Sequence, residues 1–415
     1  MASADPVHDA YEFDPTPYPV REVETVEIVN DGRSRVLNRD DARITFHDLR
    51  ARKVNQQFAA EIEHARLKAC GVGTQTVGFM EEAVCFTHDS YFELSQVRAQ
   101  EKFLHVTGKS RHLEKLLHPE AKGYAFKREV LNNPEYVPGR NVVFTGVGHA
   151  SNFYHWIGEQ MPKLATLRKY ADLAEIDNIV VFVKKPVGFI EESIRTLFPE
   201  FKGQVRQVEG WSTQSDEAFF FVLQTVPGIS EAPVRAKGVR ACIGSLVDLV
   251  EHFEERKPDL IDAGADWPRI ALISREKAPM RRWLNEQALL DGLGSRARSV
   301  MPEDLSFRDQ INLFHHADTI VATHGAGLAN TIFCRPGTRV IEVTSRNHVR
   351  RAWDFAKLAV ARGVEYHVAV VDAVDDGYWE EIAEPEERVP FQMGSDLMAS
   401  PEAVAALAAL CQERG

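Results

Sequence analysis

Apolar residues recur along the chain in short blocks separated by amphipathic stretches, and the alternation is sharpest after residue 268. Arg269–Ile273, Thr319–Ala322 and Tyr366–Val371 are largely apolar runs, and Thr338–Val343 is apolar apart from Thr338, Arg339 and Glu342. A strand buried on both faces needs this pattern. Arg298–Met301 is a weaker strand of the same series. Between these runs, stretches near Trp283–Asp291, Phe307–Ala317, Leu328–Phe333 and Val349–Ala361 carry apolar residues at helical spacing. Alternating strand and helix predicts a doubly wound parallel sheet. The segment Ser306-Phe-Arg-Asp309 marks one helix start, with a serine to accept an orphan N–H and an acid near the positive helix end.

The earlier chain mixes strand-like runs, Val23–Val29, Asn141–Val147, Asn178–Val183 and Ala218–Leu223, with helical stretches, a second α/β layer structure. Glu231–Arg256 reads as one long helix, with Val239, Cys242, Ile243, Leu246, Leu249, Val250 and Phe253 at helical spacing. It runs into the charged, Pro- and Gly-bearing segment KPDLIDAGADWP, a hinge by composition. The expected organisation is therefore a lead-in over 1–20, a first domain over 21–256, a linker over 257–268 and a second domain over 269–400. A terminal helix occupies 401–415, started by Ser400-Pro401, with Val404, Leu407 and Leu410 on a stripe that can pack back across the first domain.

Composition narrows the function classes. A length of 415 residues suits about two to three domains. A net charge of −12 opposes nucleic-acid binding, which needs a basic face. Five scattered cysteines without a Cys-x-x-Cys pair signal neither a disulfide framework nor zinc, which fits a reducing cytoplasm. The acidic, proline-bearing start is no secretory signal, and no apolar window of about 18 residues occurs. A soluble cytoplasmic protein is expected, with any lipid-linked partner met peripherally.

Candidate chemistry collects at strand ends. Thr323-His324-Gly325-Ala326-Gly327-Leu328 follows an apolar strand and opens a helix, where small residues and unpaired N–H groups admit a phosphate. The two glycines can equally serve a tight turn alone. Ser274 and Arg275 end another strand, with Lys277, Arg281 and Arg282 following; a guanidinium fork there can complement a diphosphate, or the group can be a solvated charge cluster. Glu342, late in an apolar strand, can accept ribose hydroxyls or be a paired structural carboxylate. In the first domain, Gly148-His149 leads into Asn152-Phe-Tyr-His155-Trp-Ile-Gly-Glu159. On a helix, Asn152, His155 and Glu159 share one face while Phe153, Ile157 and Leu164 lie on another. Histidine suits proton abstraction from a hydroxyl, and Glu159 can orient it or act itself. Pro162 should kink this helix.

Several motifs are missing. No Gly-x-Ser-x-Gly elbow partners the HGAG turn, and there is no Walker-type phosphate loop, His-Glu-x-x-His or Asp-x-Asp. Asp375-Asp376 reads as a turn. Nothing in the sequence calls for a metal or a bound cofactor.

Together NFYHWIGEQMPKL, ISREKAPMRRWLNE and SFRDQINLFHHADTIVATHGAGLANTIFCRPGTRVIEV resemble glycosyltransferase family 61 in order and spacing, over roughly residues 140–345. Gly158 departs from the family, which tends to carry a bulkier or acidic residue there. The resemblance implies a GT-B arrangement, two Rossmann-like domains facing across a cleft, and metal-independent transfer with inversion from a nucleotide sugar, UDP-linked by preference. The acceptor would be a glycan or lipid-linked glycan, in capsule or lipopolysaccharide synthesis. It also implies donor contacts from Ser274, Arg275, the HGAG turn and Glu342, and an acceptor-side catalytic group from His155 or Glu159. A catalytically inactive nucleotide-sugar-binding protein and an HGAG-type esterase are the alternatives.

Overall fold

In the computed structural model the described residues are 27–30, 44–51, 74–86, 96–98, 103–104, 134–144, 150–209, 212–224, 243–264, 266–374 and 394–412. The expected lead-in, most of the Val23–Val29 strand, Gly148-His149, residues 231–242, the Asp375-Asp376 turn and residues 413–415 lie outside them. The described residues fall into two units, one holding 27–30 and 74–224, the other 44–51 and 243–412.

The first unit carries β1 (Glu27–Asn30) and, after β2 (Ile44–Asp48) of the other unit, β3 (Thr74–Phe86), β4 (Gln96–Arg98), β5 (Phe103–Leu104), β6 (Glu135–Phe144), β7 (Asn178–Phe182), β8 (Gln204–Val208) and β9 (Ser212–Gln224). Its sheet runs β5-β4-β3-β9-β6-β7-β8, with β1 also on β3. The strands β9, β6, β7 and β8 are parallel, whereas β3 pairs antiparallel with β9 and with β1 and β4. This departs from the doubly wound sheet expected here: among the described residues only one half of it is parallel. The long β3–β9 pair explains the difference. The first part of β9 is polar, with Thr213 and Ser215 buried in alternation with half-exposed Gln214 and exposed Asp216, so a strand of period two continues where hydrophobicity ends. Farther along, Phe79 packs on Phe219 across the pair at 4.9 Å.

The second unit contains β10 (Ile270–Ile273), β11 (Ala297–Val300), β12 (Thr319–Thr323), β13 (Arg339–Ser345), β14 (Glu365–Ala373) and β15 (Leu397–Met398). The order is β11-β10-β12-β13-β14-β15, with β2 also on β14, and every pair except β14–β15 is parallel. All residues of β12 and β13 are buried, as a sheet covered on both faces requires. One face is covered by Leu289 and Leu293 together with Ala403, Leu407, Leu410 and Cys411 of the terminal helix Pro401–Gln412. On the other, Phe253, Phe307 and Phe333 meet edge to face. The terminal helix thus packs inside its own unit rather than across the first, because its small and apolar stripe fits the β10–β12 face.

Two expected boundaries also move. The long helix spans Ile243–Leu260, belongs to the second unit and runs on through Pro258 into the supposed linker. The remainder of that linker is pinned: Asp262 donates its N–H to Asn312 Oδ1 (2.8 Å) and receives Arg308 on its carboxylate (2.7 Å). The strand β2, far upstream, joins the second sheet. No helix among the described residues is long and apolar enough to cross a membrane.

Candidate active site

The topology of the second unit selects a place for a ligand. Strand β10 is flanked by β11 on one side and β12 on the other, so the chain reverses its direction of winding there. Ligands of open α/β sheets bind beyond the carboxyl ends of the strands at such a switch point. Ile273 of β10 lies in register with Ala322 of β12, so the segments that leave these strands, Ser274-Arg275 and Thr323-His324-Gly325, emerge side by side.

Ser274 is committed to the protein. Its hydroxyl donates to Glu286 Oε1 (2.5 Å) and accepts the Glu276 N–H (3.1 Å), and the residue is buried. It shapes the turn, with its proton and one lone pair already engaged. Burial pushes its partner's carboxyl, Glu286, above the usual range, against the opposing effect of the Ser274 hydrogen bond.

Arg275 is different. It is half-buried, burial lowers its pKa, and Nη2 reaches only the Met280 carbonyl at 3.3 Å. Its Nε has no hydrogen-bond partner; the charge of Glu303 opposes the effect of burial without forming an ion pair with it among the described residues. Gly325 makes this placement possible. Its φ of −176° suits any residue, but a Cβ there would overlap Arg275 Nη1 and stand 3.0 Å from Cδ and Cζ. Gly327 has the ordinary explanation: its Cβ would press on Ile273 at 3.2 Å and Pro302 at 3.4 Å. The turn opens a 3-10 helix, Ala326–Phe333, whose Leu328 side chain is fully buried and serves the core instead of a ligand. Ala326 and Gly327 remain half-buried at the helix start.

Arg281 completes the cationic side. It has a left-handed backbone, φ 57°, which is uncommon for a non-glycine residue and favours a search for function. Its half-buried side chain has neither a hydrogen bond nor an ion pair among the described residues, and Nε is an enclosed orphan. Burial pulls its pKa down to about 10, with Arg275 and Arg351 adding to the effect and Glu342 and Asp354 opposing it. The conformation is strapped from outside. Arg281 N–H bonds the Gly394 carbonyl, while Arg282 gives its N–H to Asp396 Oδ1 (2.8 Å) and Nε to Oδ2 (3.0 Å).

Glu342 is engaged within the protein. It is fully buried, with Oε1 2.6 Å from His324 Nδ1 and Oε2 accepting the Tyr366 hydroxyl at 2.6 Å. Burial raises its carboxyl to about 7, the Tyr366 hydrogen bond working the other way, and the same burial holds the His324 imidazole well below its usual range. The ring of His324 packs on His348 (4.8 Å) and Phe355 (5.0 Å). His348, pushed down to about 2 by burial first and then by His324, has an enclosed Nε2 without a partner. Sequence reasoning missed His348, Tyr366 and Arg351. The available signal was position, since His348 and Arg351 follow the end of β13, the next strand of the same parallel set.

In the first unit, Asn152, His155 and Glu159 were expected on one helical face, and the structure joins only the last two. His155 Nδ1 lies 2.7 Å from Glu159 Oε2, with the glutamate buried and the histidine half-buried. Asn152 instead caps the helix Phe153–His155, its side chain accepting the Tyr154 N–H at 3.0 Å. The kink expected from Pro162 takes the form of a π-helical turn, Trp156–Gln160, in which Met161 donates to the Trp156 carbonyl. Proline lacks the N–H that would continue the α-helix, and such turns often mark functional sites. Trp156, fully buried, anchors the turn through Nε1 to Ser193 Oγ (2.8 Å).

A cavity of about 890 Å³ opens at the other end of the second sheet. There Arg269, Arg298 and Arg339 are paired with Asp318, Asp266 and Glu365, whereas Arg275 and Arg281 at the switch point have no ion pair among the described residues. No group of three or more His, Cys, Asp or Glu side chains able to hold a metal occurs among the described residues. No curated protein matches the chain. Residues 153–341, which contain the His155–Glu159 pair, Arg275, Arg281 and the HGAG turn, match the model of the family described as Glycosyltransferase 61, and this match supports membership of glycosyltransferase family 61.

Proposed function

We propose that the chain is an inverting, metal-independent glycosyltransferase that moves a sugar from a UDP-linked donor to a hydroxyl of a glycan or lipid-linked glycan. Its setting would be bacterial surface polysaccharide synthesis, capsule or lipopolysaccharide, with the enzyme in the cytoplasm and any lipid-linked acceptor met from the water side. One observation carries this: Arg281 and Arg275 are half-buried guanidinium groups without carboxylate partners among the described residues, at the switch point beside Gly325. Desolvated, uncompensated cations are unfavourable unless an anion completes them. A diphosphate has the charge and the forked geometry to do so.

In the proposed step His155 takes the proton of the acceptor hydroxyl, with Glu159 orienting it or taking its place. The acceptor oxygen bonds to the anomeric carbon as the bond to the diphosphate breaks, and the nucleoside diphosphate leaves with that electron pair, balanced by Arg275 and Arg281. The first unit would serve the acceptor and the second the donor.

Calorimetry and thermal shift with UDP, other nucleotides and pyrophosphate test donor binding, and UDP release with the anomeric configuration of the product tests transfer. Stabilisation by UDP, turnover and inversion are expected. Nucleotide binding with no turnover across acceptors would mark an inactive binding protein, and stabilisation by non-nucleotide esters alone would mark an esterase. A product of retained configuration would refute the single displacement.

A further inference from the structure

Tyr366, Glu342 and His324 form a hydrogen-bonded chain with a fixed direction. A tyrosine hydroxyl has one proton to give, and it goes to Glu342 Oε2. Above about pH 7, where Glu342 is ionised, the carboxylate only accepts, so Oε1 then takes the proton of His324 on Nδ1, 2.6 Å away. The lone pair then sits on Nε2. Nε2 of His324 has no hydrogen-bond partner among the described residues, and the buried residue keeps about 4% of its surface accessible. The groups of charge around the pair are Arg275, Arg281 and Arg351, with Asp354 opposing them and His348 beside the ring. A phosphate oxygen, itself an acceptor, gains nothing from a second acceptor, and the neighbouring guanidinium groups already suit it.

We infer that Glu342 and Tyr366 are positioning residues that hold His324 as its Nδ1–H tautomer, so that Nε2 accepts a hydrogen bond from a hydroxyl flanking the donor's diphosphate. This rests on the nucleotide-donor proposal above. The hydroxyl belongs either to the ribose or to the transferred sugar, and the choice of ligand separates the two.

Selective ¹⁵N-histidine NMR of the ligand-free protein at pH 8, with His324→Gln to assign the signal, reads the tautomer without any ligand. Nδ1–H is expected in the wild type. In Glu342→Gln the Tyr366 hydroxyl claims the amide oxygen, the amide NH₂ faces Nδ1, and the ring proton moves to Nε2. Adding Tyr366→Phe frees the amide to turn, which restores the first tautomer. In calorimetry Glu342→Gln should weaken UDP-glucose about tenfold, the usual effect of a mismatched hydrogen bond. Pyrophosphate should be unaffected, and the double variant should recover. An equal effect on UDP identifies the ribose, and an effect on UDP-glucose alone identifies the sugar. The inference is overturned by Nε2–H in the wild type, by an unchanged tautomer in Glu342→Gln, or by an equal loss for pyrophosphate. A wild type with the expected tautomer that binds neither nucleotide overturns donor binding and the recognition built on it, and leaves the clamp standing.

Discussion

Gly325→Ala is the sharpest single perturbation of the donor side. Its backbone, at φ −176°, accepts alanine without strain, so the consequence falls on one neighbour. The new methyl would overlap Arg275 Nη1 and stand 3.0 Å from Cδ and Cζ, and Arg275 must swing away. The side chain is half-buried with one long contact to a carbonyl, so relocation costs about 0.5–1.5 kcal/mol, the scale of holding a side chain off its preferred rotamer. A displaced guanidinium loses its charge-assisted hydrogen bonds to the diphosphate, about 1.5–3 kcal/mol, or roughly 10- to 150-fold in Kd. Calorimetry with UDP and with pyrophosphate should show this loss in Gly325→Ala with little change in Tm. Arg275→Ala should lose at least as much, and the double variant no more than Arg275→Ala alone, since both act through one group. Affinity within twofold of wild type in Gly325→Ala, or losses that add in the double variant, would refute the reasoning.

His155→Ala should lower turnover by at least about 10²-fold, the usual effect of a positioned base, with UDP affinity nearly unchanged and Glu159→Gln less affected; near-wild-type turnover would remove His155 from the mechanism. Activity should survive EDTA, and a loss on chelation that Mn²⁺ or Mg²⁺ restores would contradict the metal-independent proposal. Burial holds His348 at about 2 in the folded protein, below its unfolded value. The unfolded chain therefore binds a proton that the fold excludes, and stability falls as pH drops below about 6.5. For one such histidine the loss between pH 7 and 5 is about 2 kcal/mol. Urea unfolding at the two pH values should show that difference reduced in His348→Gln, and an unchanged difference would place the excluded proton elsewhere.

How far the sequence could be read depends on which residues face a homogeneous environment. Strands β10, β12, β13 and β14 are enclosed on both faces, so their apolar runs revealed them to within a residue or two, and with them the switch point where Arg275 and the HGAG turn meet. Strand β9 begins with polar residues in a buried row, which hydrophobicity cannot show. Strand β2 lies more than 200 residues upstream of its sheet, and no local pattern encodes a partner at that distance. At the site, Ser274 and Glu342 were placed at the correct strand ends, but their protein partners were not legible. Whether a polar side chain faces a ligand or Glu286, His324 and Tyr366 depends on tertiary neighbours. Asn152 was misplaced because an asparagine one residue before a helix is commonly its cap, a choice that helical spacing alone leaves open.

The strand β2 has a consequence for how the protein can be made. The sheet of the second unit takes a strand from near the start of the chain and is covered by a helix from near its end, so the polypeptide must close very long loops before that sheet is complete. Contacts of such separation form slowly. During synthesis β14 would emerge long after β2, and until they pair its unpaired N–H and C=O groups offer an edge to other chains. A fragment cut at the apparent linker, 269–400, would leave that edge open for good and the opposite face without its terminal helix. The second unit is therefore continuous in space and discontinuous in the sequence, and an excised version would have to begin before residue 44 or carry that strand as a graft.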